Sequence, residues 1–163
     1  MLKSISHKKL IWKHLIIYYT PCKLFKWGYR VDSKCPRCQA AEADIVHMLA
    51  SCSAIREYWT RIMAFMADVT GTPIDLTSSV IMLGYDELGQ AVSPVYFIAI
   101  MVGRLILARE WVSVAPPVFQ QWSNAFFACF YQERSLYVAK GCKSRAKRVR
   151  IWGAVDAWFA LKN

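Results

Sequence analysis

Four metal-ligating side chains fall within eighteen residues of one another: Cys35, Cys38, His47 and Cys52. Cys35-Pro36-Arg37-Cys38 is a two-residue-spaced pair, which can form a tight turn with both sulfurs on one side, the half-site common in zinc ribbons and knuckles. His47 and Cys52 complete the set as Cys-x2-Cys-x8-His-x4-Cys. Three soft thiolates and an imidazole suit zinc rather than magnesium or calcium. Four protein ligands leave no open position for an activated water, so the spacing predicts one structural Zn2+ rather than a catalytic one. Two other readings stand beside it. Cys35 and Cys38 could form a redox pair, which wants a thioredoxin-like strand and helix around it, or the cluster could be a coincidence of composition.

Convergence of the four side chains constrains the elements that carry them. On one unbroken helix, residues five apart sit about 140° apart around the axis, so a helix carrying His47 has to end near Ser51-Cys52. Ser53 stands where it would cap the next helix. That helix, over 53–69, puts Ile55, Trp59, Ile62, Met63 and Met66 on one face, and Gly71-Thr72-Pro73 end it. A turn-rich stretch, 75–93, leads to a strongly apolar helix over 94–114, stopped by Pro116-Pro117. A third helix over 118–140 carries the stripe Phe119, Trp122, Phe126 and Phe130, which reads as core. From Val149 an amphipathic pattern through Trp152, Val155 and Phe159 marks a last helix, and upstream Thr20-Pro21 reads as a helix break. The expected fold is mostly α, a small CCHC zinc-stapled finger followed by a helical body of about four helices. Residues 1–70 would hold a basic aromatic lead-in, the finger and its following helix, and 71–163 the body with a basic C-terminal helix.

The chain has 163 residues, 56% hydrophobic and 20% charged, which is enough for one core and far from the composition of a disordered segment. Its net charge of +10 is unevenly placed. Residues 1–37 hold nine Lys/Arg against one acid, 38–133 hold four against nine, and 134–163 hold eight against one. Two basic ends around an acidic, apolar centre suit a polyanion partner, RNA or DNA, although two solvated basic faces would look the same. The expected phosphate contacts are Lys8, Lys9, Lys13, Lys34 and Arg37 at one end and Lys143, Arg145, Lys147, Arg148 and Arg150 at the other. Trp12 and Trp27 are candidates for stacking on bases, with burial in the core as the competing role for both. No run approaches the roughly 18 apolar residues of a membrane span; the best, 95–103, stops at Arg104. The N-terminal stretch reads neither as a secretory signal nor as a mitochondrial presequence, so an intracellular setting, nuclear or cytoplasmic, is expected. There Cys22, Cys129 and Cys142, with no paired spacing, read as ordinary thiols, and His7 and His14 as surface or stacking residues.

The string Thr20-Pro21, Leu24, Cys35-Pro36-Arg37-Cys38, Ala43-Asp44, His47-Met48, Cys52 and Trp59 resembles the C-terminal zinc-binding region of reverse-transcriptase polyproteins from LINE-type, non-LTR retrotransposons. A looser likeness continues through Leu83-Gly84, Ala108-Arg109, Trp111, Pro116-Pro117, Trp122, Tyr137 and Trp152. Ser53 departs from it, since a proline commonly follows the last ligand. The resemblance implies an accessory region that helps bind template RNA or target DNA during target-primed reverse transcription, its reverse transcriptase domain supplied elsewhere. The chain holds no Asp-Asp pair for catalytic metal ions, and Asp86-Glu87, between Gly84 and Gly89, reads as a turn. No Ser/His/Asp constellation suggests a hydrolase, so a non-catalytic protein is expected. The rival functions are a protein-interaction module and a transposon-derived fragment with no maintained role.

Overall fold

Helix boundaries follow the capping chemistry of the chain. The computed structural model describes residues 19–40, 42–139 and 142–162. Helix α1 (Pro21–Lys26) starts at Thr20, whose hydroxyl accepts the Lys23 N–H at 3.2 Å, with Pro21 at the first helical position. Thr20-Pro21 therefore opens a helix where a break was expected. It closes in a Schellman motif: the Gly28 N–H donates to the Phe25 carbonyl and the Tyr29 N–H to the Leu24 carbonyl, each at 2.9 Å, with Gly28 at φ +76°.

After the cysteine-rich segment, a short 3-10 turn (Ser53–Ile55) runs into α2 (Arg56–Thr70), ended by Gly71 at φ +68°. The stretch expected to be turns alone contains α3 (Ser78–Leu83), in which the Thr77 hydroxyl accepts the Val80 N–H. Six residues are too few to show a period, but the Thr77 and Gly84 caps were there to be read. Asp86 makes the turn expected of it, its Oδ1 accepting from the N–H groups of Leu88 and Gln90 at 3.0 and 2.7 Å. Helix α4 (Pro94–Arg109) stops short of the expected 114. Val112 and Val114, which carried the apolar pattern on, are 84% and 69% exposed, so no burial rewards extending the helix to them. Helices α5 (Phe119–Ala139) and α6 (Cys142–Lys162) complete the chain, which is mostly helical, with no strand among the described residues.

α4 is buried almost all round and forms the centre, with α2, α5 and α6 packed on one another and on it. Trp122 of α5 stacks on Phe126 at 4.9 Å between centroids and donates its indole N–H to the Ala99 carbonyl of α4 at 3.0 Å. Trp152 of α6 packs on both Phe126 and Phe130. One turn further along, α2 approaches α4 closely at Gly103, where a Cβ would lie 2.7 Å from the Trp59 ring. One buried cluster runs from Cys35, Met48, Leu49 and Cys52 through Trp59 and Leu107 to Trp122 and Trp152, on both sides of residue 70. Among the described residues no helix is long and apolar enough to cross a membrane.

Candidate metal centre

Two local structures bring the four ligands together. In the first, Cys35-Pro36-Arg37-Cys38 turns back on itself: the Gln39 N–H donates to the Cys35 carbonyl at 3.0 Å and the Cys35 N–H to the Ala40 carbonyl at 2.9 Å. Gln39 takes φ +61°, and this left-handed residue reverses the chain directly after the second cysteine. In the second, Asp44 starts a helical turn, its Oδ1 accepting the His47 N–H at 2.8 Å. That turn widens into a π-helix over His47–Ser51, and the Cys52 N–H closes on the His47 carbonyl five residues back at 3.0 Å. Cys52 then leaves in an extended conformation, ψ 127°.

The helix thus ends where the ligand spacing requires. The wider i→i+5 turn also removes much of the angular mismatch that an α-helix would put between His47 and Cys52. The Ser53 side chain caps neither the 3-10 turn nor α2, contrary to expectation. The turn is held from outside instead, by the Trp59 indole N–H, which donates to the Leu49 carbonyl at 2.9 Å.

The ligand atoms of Cys35, Cys38, His47 and Cys52 all lie within 4.8 Å of one another. Cys35 Sγ and Cys52 Sγ are 3.8 Å apart, and Cys38 Sγ and His47 Nε2 are 3.2 Å apart. A tetrahedron with metal–sulfur distances of about 2.3 Å has sulfur–sulfur edges of about 3.8 Å, so the arrangement fits a four-coordinate ion with little adjustment. Cys35 and Cys52 are buried and Cys38 and His47 half-buried, so the centre faces the core on one side and solvent on the other. The thioether of buried Met48 lies 3.8 Å from Cys35 Sγ and adds another soft atom beside the ligands. Such a cluster can hold one metal ion.

The two cysteine environments that titrate differently set its proton balance. Burial would raise the Cys38 thiol, but the backbone at Ala40 and hydrogen bonds from Cys52, Cys35 and Ser53 outweigh it and lower the thiol overall. Burial pushes the Cys52 thiol up to about 12. A metal binds the thiolate, so it has to displace the Cys52 proton throughout the neutral range, and its affinity rises with pH. The expected result is at least one proton released per ion bound and a dissociation constant falling at least about tenfold per pH unit between about pH 6 and 8. Competition against a chromophoric chelator across that range measures it; a pH-independent constant would mean that Cys52 is not a ligand.

The other sequence-selected residues are dispersed. Lys34 is exposed next to the first cysteine. Arg37, expected to meet phosphate, instead points inward: its Nη2 donates to the Glu110 carbonyl at 2.7 Å and its Nη1 to the Met48 carbonyl at 3.5 Å, tying the cysteine turn to the end of α4. Arg148 makes a two-pronged ion pair with Asp156 at 2.6 and 2.7 Å and lies over the Phe130 ring, while Arg150 is exposed. Lys143, Arg145 and Lys147 lie on the first turns of α6. Lys8, Lys9, Trp12 and Lys13 fall outside the described residues. Trp27 is half-exposed and edge-on to Tyr19. Tyr19, Tyr29 and Lys23, which belong to the same basic aromatic lead-in, stand beside it. Against known proteins, the chain matches no family model and no curated sequence.

Proposed function

We propose that Cys35, Cys38, His47 and Cys52 hold one structural zinc ion, and that the chain is a non-catalytic nucleic-acid-binding module. In this reading it resembles the accessory C-terminal region of a non-LTR retrotransposon polyprotein and works beside a reverse transcriptase domain supplied elsewhere. The observation that carries the metal half is the convergence of three thiols and an imidazole within 4.8 Å, a donor set that favours zinc and leaves no coordination position open. The nucleic-acid half is supported by the two basic ends of the sequence and by exposed Lys34 and Arg150. When bound, zinc supplies a rigid crosslink and no reactive water. The chain's own residues then hold exposed Lys34 directly beside the first ligand.

The test is metal content of the purified protein and of Cys38→Ser, with binding of single-stranded RNA followed by fluorescence anisotropy at about 50 and 200 mM salt. One zinc per chain, lost in the variant, is expected. Four phosphate contacts to a single strand would weaken binding about fiftyfold over that salt range. Zinc without RNA or DNA binding would turn the reading towards a protein-docking module, and absence of zinc would remove the basis for both.

A further inference from the structure

The sixteen residues 19–34 carry four cations, Lys23, Lys26, Arg30 and Lys34, against the single acid Asp32, which Arg30 approaches at 3.5 Å. In the same segment Tyr19, Leu24, Trp27 and Tyr29 line a shallow cleft open to solvent. The rings are not tucked away: Tyr19 is 56%, Trp27 50% and Tyr29 78% exposed. Nor are they loosely tethered. The Schellman closure of α1 fixes Gly28 between Trp27 and Tyr29 and sets the directions of both, and Tyr19 meets the Trp27 ring edge-on at 5.9 Å. Lys23 Nζ lies over one face of the Trp27 ring, 4.9 Å from its centroid, and leaves the other face for a base.

The platform is also fastened to the candidate metal centre. The Cys22 N–H donates to the Ala43 carbonyl at 3.3 Å, the Ala43 N–H donates to the Ser33 carbonyl at 3.0 Å, and the Trp111 indole N–H of the α4–α5 connection reaches the Tyr19 carbonyl at 3.4 Å. Exposed aromatic faces held rigid within a positive surface have the two properties that bases and phosphates of a single strand require. An apolar peptide would be served by the rings, but Lys23 against the indole and the other cations of the segment would add nothing to its binding. A duplex keeps its bases stacked internally and would leave the rings unused.

Resting on the nucleic-acid reading above, we infer that the Tyr19–Trp27–Tyr29 cleft stacks bases of single-stranded nucleic acid, with Lys23, Lys26 and Lys34 placed for the flanking phosphates. The experiment uses the full chain with zinc bound and a fluorescein-labelled oligouridylate of about twelve nucleotides, followed by anisotropy as salt is varied. Trp27→Ala is expected to weaken binding about five- to a hundredfold while leaving the slope of log affinity against log salt unchanged, because a stacking contact is lost and no phosphate contact is. Lys26→Gln is expected to do the reverse, lowering that slope by about 0.7. Trp27→Phe keeps a ring and should bind within about threefold of the native chain. Metal content and circular dichroism should match the native protein in all three, since both substituted side chains are exposed. Native chain that binds no oligonucleotide would remove the nucleic-acid reading itself. Native chain that binds, with Trp27→Ala and Tyr29→Ala binding equally well, would overturn the stacking cleft and leave that reading standing.

Discussion

Stripping the metal with a strong chelator is expected to lower the thermal midpoint by about 8–16 °C, while the helical signal at low temperature changes little. The magnitude follows from linkage. An ion present at about a thousand times its dissociation constant adds about 4 kcal/mol to the folded state, and each kcal/mol moves the midpoint of a chain this size by about 2–4 °C. The helices survive because most of the core does not touch the ligands: Trp122, Phe126, Phe130 and Trp152 are buried among α4, α5 and α6. The loss instead falls on the Cys35–Cys38 turn and the π-helical turn, whose side chains Met48, Leu49 and Cys52 are in the common core. Cys38→Ser should show a similarly low midpoint and no further response to chelator. A midpoint unmoved by chelation, with removal of the ion verified by elemental analysis, would show that the four side chains contribute nothing to the fold through a metal.

Trp59→Ala is expected to cost about 5 kcal/mol, on the scale of the entire stability of many small domains. Two separate losses combine there. The indole is fully buried between α2 and α4, so truncation opens a large cavity. Its N–H also holds the Leu49 carbonyl of the π-helical turn, and that buried acceptor would be left alone. Trp59→Phe retains most of the volume and drops only the hydrogen bond, so about 2 kcal/mol is expected for it. The partner site tests the same contact from the other side. A Cβ at position 103 would stand 2.7 Å from the ring, closer than real Cβ contacts allow, and Gly103→Ala should cost about 1–3 kcal/mol. With Phe at 59 the intruding methyl has more room, so the double variant should be less destabilised than the two single effects added together. Urea unfolding of the four proteins measures the cycle; strict additivity would mean that the close approach of α2 to α4 carries no strain.

Trp59 and Trp27 also illustrate what the sequence discloses and what it withholds. Trp59 has apolar neighbours at helical spacing, Ile55, Ile62, Met63 and Met66, and its burial could be read from that period. Trp27 sits between Lys26 and Gly28 with no such stripe, and burial and stacking looked equally plausible until the Schellman turn placed it at the surface. The ligand spacing was legible because metal geometry tolerates few arrangements. The π-helical turn was not, since no local preference marks it and only the need to bring His47 and Cys52 together called for a widened or ended helix. Arg37 misled because a guanidinium between two cysteines looks the same in sequence whether it faces phosphate or donates to the carbonyls of Met48 and Glu110. The end of α4 was overrun because an apolar pattern continues through Val112 and Val114 after the packing surface has run out. Tertiary contact, absent from any short window of sequence, decided the direction of Arg37 and the end of α4.

The buried cluster that joins Cys35 and Cys52 to Ile151, Trp152 and Val155 makes metal occupancy and the docking of the last helix thermodynamic neighbours. Couplings of this kind are reciprocal: if holding the ion steadies α6 against the core by some factor, then anything that steadies α6 tightens the ion by that same factor. Whatever steadies α6 against the core would therefore tighten the hold on a metal at Cys35 and Cys52, without touching it.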